Sequence, residues 1–258
     1  MTGNVSELHT RTGPSRLPSP IFVAFAAATA LGGWMAWTGE SRFGVFLFVF
    51  CGWIVSLCLH EFGHAYLAYR SGDHSVAIRG YLTLNPFKYG DVALSIVLPL
   101  LFLVLGGIGL PGGAVYVNRG AIRGRLRQSL ISAAGPLANL IFAVALAAVI
   151  SRLSEPEHAY FWAGAAFLAY LQVTATVLNL LPVPGLDGFG IIEPYLPERW
   201  RRTAQHISMY GLIAVFALLW FPAVNSAFFG LLLHVSTWFG IDPLYTGFGQ
   251  ELFRFWSE

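Results

Sequence analysis

The sequence predicts an all-α polytopic membrane protein of about six transmembrane helices, with a re-entrant segment and a short β-hairpin or sheet near its polar motifs. Composition is the first reason: 56% of the 258 residues are hydrophobic and 11% charged, against roughly a quarter charged in a soluble domain. Mean hydropathy is +0.63, and span-length apolar runs recur along nearly the whole chain, leaving no stretch for a separate soluble domain. The formal charge of +2 comes from arginines at the ends of these runs, where they report orientation and argue against a nucleic-acid partner.

Residues 1–20 are polar, carry Arg11, Arg16, Pro14, Pro18 and Pro20, show no apolar period, and read as a disordered cytoplasmic tail. Ile21 to Trp37 is about the minimum length for a crossing, and with its loop fills residues 21–42. The arginines before it favour an N-terminus held inside; Ala28 and Ala30 also fit a signal-peptide cleavage pattern. The run from Phe43 to Tyr69 exceeds a perpendicular crossing and must tilt or protrude inside. Cys51 and Cys58, seven positions apart in it, lie about 10 Å apart along a helix axis, too far for a disulfide, and read as packing residues.

From Val76 to Leu84 the chain alternates, with Val76, Ile78, Leu82 and Leu84 on one side and Arg79, Tyr81 and Thr83 on the other, which predicts a short strand. Ala114 to Val117 supplies a second. If Val92 to Leu110 crossed once, Arg119, Arg123, Arg125 and Arg127 would fall outside, so a re-entrant path is expected, with breaks at Pro99, Gly106-Gly107, Gly109 and Pro111-Gly112-Gly113. Ser129 to Ile150, Ala159 to Leu181, Ala204 to Phe221 and Val224 to Phe239 complete the spans, with Pro222 turning the last pair. Residues 43–193 then form the core unit, and 194–258 hold the C-terminal helices and tail. Trp34, Trp37, Trp162, Trp220 and Trp238 fall near span ends and read as interfacial anchors, the arginine clusters as orientation signals beside anionic lipid.

The strongest chemical signal is His60-Glu61-Phe62-Gly63-His64 near the inner end of the second helix. Positions i and i+4 share a helix face, so both imidazoles reach one metal ion while Glu61 sits beside it. Two histidines and a glutamate inside a span are costly unless paired, hydrated or metal-bound. A third ligand is then needed, and Asp187, Glu193, His206 and His234 are the candidates in apolar context. Asp187 stands out because Pro182 and Pro184 break the helix just before it, although an aspartate beside Gly188 is also an ordinary turn residue. Zinc suits two imidazoles and a carboxylate, as do iron and cobalt.

With an inside N-terminus, the H-E-x-x-H motif, Asn139 and Asp187 all fall at the inner ends of their helices, at one depth. Three segments now carry a resemblance: His60 to His64; Ala134-Gly135-Pro136-Leu137-Ala138-Asn139; and Asn179 to Gly188 with its Leu-Asp-Gly ending. Together they resemble the site-2 proteases, zinc metalloproteases that cut substrates within membranes. The resemblance covers about Phe43 to Glu193 and looks like a minimal form without a PDZ or CBS domain. It implies that His60, His64 and Asp187 are zinc ligands, that Glu61 is the catalytic general base, and that Asn139 and Asn179 are substrate-binding amides. Gly185 stands where many relatives carry proline, which would loosen that turn.

The expected function is zinc-dependent intramembrane hydrolysis of membrane-anchored protein substrates, as in regulated intramembrane proteolysis. The expected setting is a lipid bilayer, the cell membrane, with the active site towards the cytoplasm and the strand at Val76 to Leu84 pairing with an extended substrate. The competing classes are a transporter, which has no need of Glu61 beside two ligating histidines, and a non-catalytic metal-binding scaffold, which would tolerate Glu61→Gln.

Overall fold

A computed structural model describes residues 18–90 and 115–256, without the side chains of residues 205, 209, 212 and 216. Four helical stretches are long and apolar enough to cross a membrane: Pro20–Thr38, Arg42–Arg70, Arg125–Leu153 and Pro156–Asn179. The first three are α1, α2 and α4, and the last contains α5 (Ala159–Asn179). At 29 residues each, α2 and α4 run about 44 Å, well beyond a hydrocarbon core of about 30 Å. They tilt or protrude, as the length of the second apolar run predicts.

The bundle is organised around α5, whose residues from Trp162 to Thr176 are all buried. A helix apolar on every side needs neighbours on every side, and α5 receives α2, α4, the C-terminal α9 (Pro243–Phe253) and parts of α1 and α8 (Pro222–Trp238). Gln172 Nε2 donates to Ser56 Oγ at 3.0 Å, a buried polar tie between α5 and α2. In membranes helices associate by close packing, so small residues mark their crossings. A Cβ on Gly44 would stand 2.8 Å from Met35 Cβ and 2.9 Å from Ala36 N, so α1 and α2 touch backbone to backbone. The sequence assigns the residues after the last span to a tail, but α9 is integral: Leu252 and Phe253 are core residues, and Arg42 pairs with Glu251 at 3.3 Å.

Three expectations need correction. Among the described residues there is no strand: Val76 to Leu84 forms a short helix, α3 (Ser75–Ile78), then a 3-10 turn at Tyr81–Thr83. Local hydrogen bonding overrides the alternation, because Asp73 Oδ1 accepts from Ser75 N at 3.0 Å and from Ser75 Oγ at 2.6 Å, which starts a helical turn. Gly80 (φ 78°) and Leu84 (φ 58°) then take left-handed conformations that end any extended run. Val115 to Asn118 has no regular structure, while Ala114 and the expected re-entrant run from Val92 to Leu110 lie outside the described residues.

The last pair of expected spans is also different. Ile213–Leu219 of α7 (Glu198–Leu219) and α8 are long and apolar enough for a crossing only when taken together, and they are bent by 98° at Trp220 and Phe221. Glu198, Arg199, Arg201 and Arg202 make the first turns of α7 too polar for lipid, and Pro222 at the first position of α8 begins a new helix direction. Finally, Trp162 is 3% exposed inside the core, whereas Trp34, Trp220 and Trp238 are exposed as interfacial residues are.

Candidate metal centre

His60, Glu61 and His64 are all buried on α2, and helical periodicity puts the two imidazoles on one face. Their Nε2 atoms stand 3.1 Å apart. Asp187, the first residue of α6 (Asp187–Ile192), closes the cluster with Oδ2 at 3.2 Å from His60 Nε2 and Oδ1 at 3.3 Å from His64 Nε2. Among the described residues, this is the group of His, Cys, Asp or Glu side chains whose donor atoms could hold a metal.

The donor set is one that zinc takes, two imidazole nitrogens and a carboxylate oxygen: the two Nε2 atoms stand 3.1 Å apart, each lies 3.2 to 3.3 Å from a different oxygen of Asp187, and one ligand atom from each residue falls within 4.8 Å of the others. His64 Nδ1–H donates to the Ile131 carbonyl at 2.7 Å, which orients the ring and leaves Nε2 as the nitrogen facing the cluster. Burial would raise the Asp187 carboxyl, but the two imidazoles outweigh it and hold that carboxyl well below the usual carboxylate range. Glu61 lies alongside, Oε1 at 4.0 Å from His60 Nε2; the Val115 backbone N–H donates to its carboxylate, and Oε2 is buried without a partner among the described residues.

The backbone of α4 forms the far wall. A Cβ on Gly63 would stand 2.9 Å from the Ala134 carbonyl oxygen, so the glycine inside the motif lets α2 and α4 meet. On the next residue, Gly135, a Cβ would collide with the Nε2 atoms of both His60 and His64. The cluster thus opens on a cradle that any other side chain would fill. Asn139, one turn further along α4, is buried with Oδ1 unpartnered, and Asn179 is the buried last residue of α5.

Asp187 is held by tertiary contacts, because a helix of six residues cannot hold itself. Gly188 lies against the Leu180 carbonyl, where a Cβ would collide. A Cβ on Gly190 would stand 3.0 Å from Ser132 Cβ, and Ser129 Oγ donates to the Ile191 carbonyl at 2.6 Å, so α6 is docked on α4. Gly185 has φ 100° and packs on the Ser208 backbone of α7. Proline cannot adopt that φ, so this turn is tight and specific to glycine rather than loosened by it. A cavity of about 300 Å³ adjoins Asp187, with Arg119, Ser132, Glu193 and Ser208 among its walls.

Of the other expected ligands, Glu193 is paired with Arg119 at 2.6 Å, and His206 and His234 are exposed and outside the cluster. Sequence reading quoted Gly135 only as part of a motif, without a role for it, and gave none to Ser129, Val115 or Arg119 at the site. Gly-Pro inside a helix was a signal for the first; the arginine was absorbed into an orientation cluster.

Comparison with known proteins agrees with the geometry. Residues 47–156 match Peptidase family M50. Over 246 residues, 93% of this chain, it is 49% identical to "Putative zinc metalloprotease Rip2" of Mycolicibacterium smegmatis, covering 95% of that protein. The protein of that name in Mycobacterium tuberculosis is 48% identical over the same shares. "Putative zinc metalloprotease YwhC" of Bacillus subtilis is 34% identical over 180 residues, 67% of this chain and 80% of that one. No solved structure matches.

Proposed function

The chain belongs to peptidase family M50, and from that premise we propose that it is a zinc-dependent intramembrane endopeptidase that hydrolyses membrane-anchored protein substrates, in the manner of regulated intramembrane proteolysis. The observation that carries the reading is the convergence of His60 Nε2, His64 Nε2 and the Asp187 carboxylate from helices α2 and α6, with the Glu61 carboxylate buried beside them.

His60, His64 and Asp187 are the proposed zinc ligands. Zinc bound by these residues would supply Lewis acidity to a scissile carbonyl and acidity to a water. Glu61 is the catalytic general base: its unpartnered Oε2 takes a proton from the attacking water and returns it to the leaving amine. A backbone hydrogen bond from Val115 helps to hold that carboxylate in place. Gly135 leaves the room in which a carbonyl approaches the imidazoles. Asn139 and Asn179 are the proposed substrate-binding residues, their amides pairing with backbone groups that an unwound substrate helix sets free; the unpartnered, buried Oδ1 of Asn139 supports this.

In this reading the unit at residues 43–193 carries the chemistry, and the flanking helices seat it in the cell membrane. Arg70 at the end of α2 and Arg123, Arg125 and Arg127 at the start of α4 lie at the metal end of the bundle, which supports an active site towards the cytoplasm. The test is metal content and cleavage of single-span substrates in liposomes. Glu61→Gln should keep about one zinc and lose about 10²–10⁴-fold in rate. Asp187→Ala should lose both. Native behaviour in both variants would sink the proposal.

A further inference from the structure

The two imidazoles of the cluster meet different surroundings. His64 Nδ1 has the Ile131 carbonyl at 2.7 Å, whereas His60 Nδ1 is buried with no hydrogen-bond partner among the described residues. A histidine that ligates a metal through Nε2 carries its proton on Nδ1, and that proton almost always has an acceptor. An acceptor in want of a donor lies on the neighbouring helix. Gln172 of α5 is 0% exposed, and its Oε1 is also buried without a partner among the described residues. A buried donor and a buried acceptor, each costly alone, are both satisfied when one group serves them together.

Helix register sets them side by side. Val45 meets Gly164, Gly52 meets Leu168, and Gln172 Nε2 donates to Ser56 Oγ, so the contacts advance in the same direction along α2 and α5 and the two helices run parallel. His60 is one turn beyond Ser56, and Thr176 one turn beyond Gln172. Side chains on a helix lean towards its N-terminus, so an imidazole at position 60 reaches back over the turn on which Ser56 holds the Gln172 amide. Thr176 is buried too, and its Oγ1 donates to the Gln172 carbonyl at 2.8 Å, which leaves its lone pairs open. Three polar groups thus fall at one level between the helices, and a gap among such groups too wide for a direct hydrogen bond is closed by a buried water.

Resting on the ligand set proposed above, we infer that Gln172 is a positioning residue for His60. One bound water takes the hydrogen bond from His60 Nδ1–H and donates to Gln172 Oε1 and Thr176 Oγ1. Helix α2 spaces the two imidazoles; this bridge sets how the His60 ring is turned towards the metal.

The experiment measures zinc affinity of the full chain in detergent by chelator competition, together with the visible absorption of the Co²⁺-loaded protein, which reports ligand geometry without reference to cleavage. Gln172→Met keeps the length of the side chain and removes the acceptor. It should weaken zinc about tenfold and shift the cobalt bands, the lower end of what losing a ligand's outer partner costs, because a water stands between. Gln172→Glu keeps an acceptor oxygen in either protonation state and should stay within about twofold of the native chain. Thr176→Val removes the second acceptor and should weaken zinc about three- to fivefold. Thr174→Val is the matched control: the same change on the opposite side of α5, where Oγ1 donates to the Tyr170 carbonyl at 2.9 Å, should match the native chain.

Native affinity and native cobalt bands in Gln172→Met would overturn the inference. So would a Gln172→Glu variant as weak as Gln172→Met, because the loss would then come from the tie to Ser56 and not from the acceptor. If Gln172→Met does not fold, the two threonines decide: a loss of affinity in Thr176→Val that Thr174→Val does not share supports positioning, and equal behaviour refutes it. His60→Ala, run alongside, separates the two levels. Native zinc binding there removes the ligand set itself, whereas loss of zinc there with native behaviour in Gln172→Met removes only the role of Gln172.

Discussion

His60 and His64 sit one turn apart inside a helix of 29 residues, whereas Asp187 opens a helix of six. Donors on α2 are spaced by helix geometry, which is the same wherever the helix goes. On α6 the donor is placed by what surrounds it: Leu180 under Gly188, Ser132 against Gly190, Ser129 on Ile191, and Arg119 on Glu193. One half of the site is carried by local structure and the other by tertiary contact. Substitutions that leave α2 intact should therefore reach the metal chiefly by moving α6 or by occupying the space between the halves.

The largest effect is expected from the wall between them. Gly135→Ala should abolish stoichiometric zinc, since the new Cβ occupies the space of the imidazole nitrogens. Alanine's helix advantage of about 1 kcal/mol offsets part of the roughly 1–3 kcal/mol that overpacking costs, so the fold read by circular dichroism should survive with a modest fall in thermal stability. A stable variant with native zinc would break the comparison. Next comes Gly190→Ala, which pushes α6 off Ser132 and should weaken zinc about 10–100-fold in a chelator titration without disturbing α2. Ser129→Ala removes one 2.6 Å hydrogen bond to Ile191 and should cost about 1 kcal/mol, roughly a factor of five in zinc affinity.

The smallest effect is expected on the α2 side. Tyr89 hydroxyl donates at 3.2 Å to the Tyr81 carbonyl and lies 3.4 Å from that of Cys58, pinning the loop after α2 to the helix. Tyr89→Phe should lower loop protection in hydrogen exchange by about 1 kcal/mol and leave zinc affinity unchanged. Burial pushes that phenol above its ordinary value, so its contribution is complete below about pH 10 and fades only in more alkaline solution. A loss of zinc in Tyr89→Phe would mean that α2 also depends on its surroundings.

The same division explains what could be read from the sequence. His60, Glu61 and His64 were legible because a helical period converts spacing into geometry, and Asp187 because two prolines and a glycine announce a broken helix. The four long apolar helices were legible by length. Alternation at Val76 to Leu84 misled because period is a weak signal over so few residues; Asp73 and Gly80 decide that segment. The last two helices misled because apolar length alone does not register a 98° bend. Arg119 was hidden because its partner lies far along the chain, and an arginine among arginines has a sufficient explanation without one. Trp162 shows the same limit: position near a span end cannot tell a lipid interface from the heart of a bundle.

The burial of α5 on every side bears on how such an enzyme is made safely. On the proposed function the enzyme shares a membrane with its substrates, where a half-built active site would be a hazard. Here the H-E-x-x-H helix is laid down early, but it has no third donor until α5 has entered the bundle and delivered the Leu180 to Gly188 turn that α6 docks upon. The proposed third ligand thus comes after α5 in the chain and rests on the turn that follows it, so the proposed site is complete only where the central helix is present.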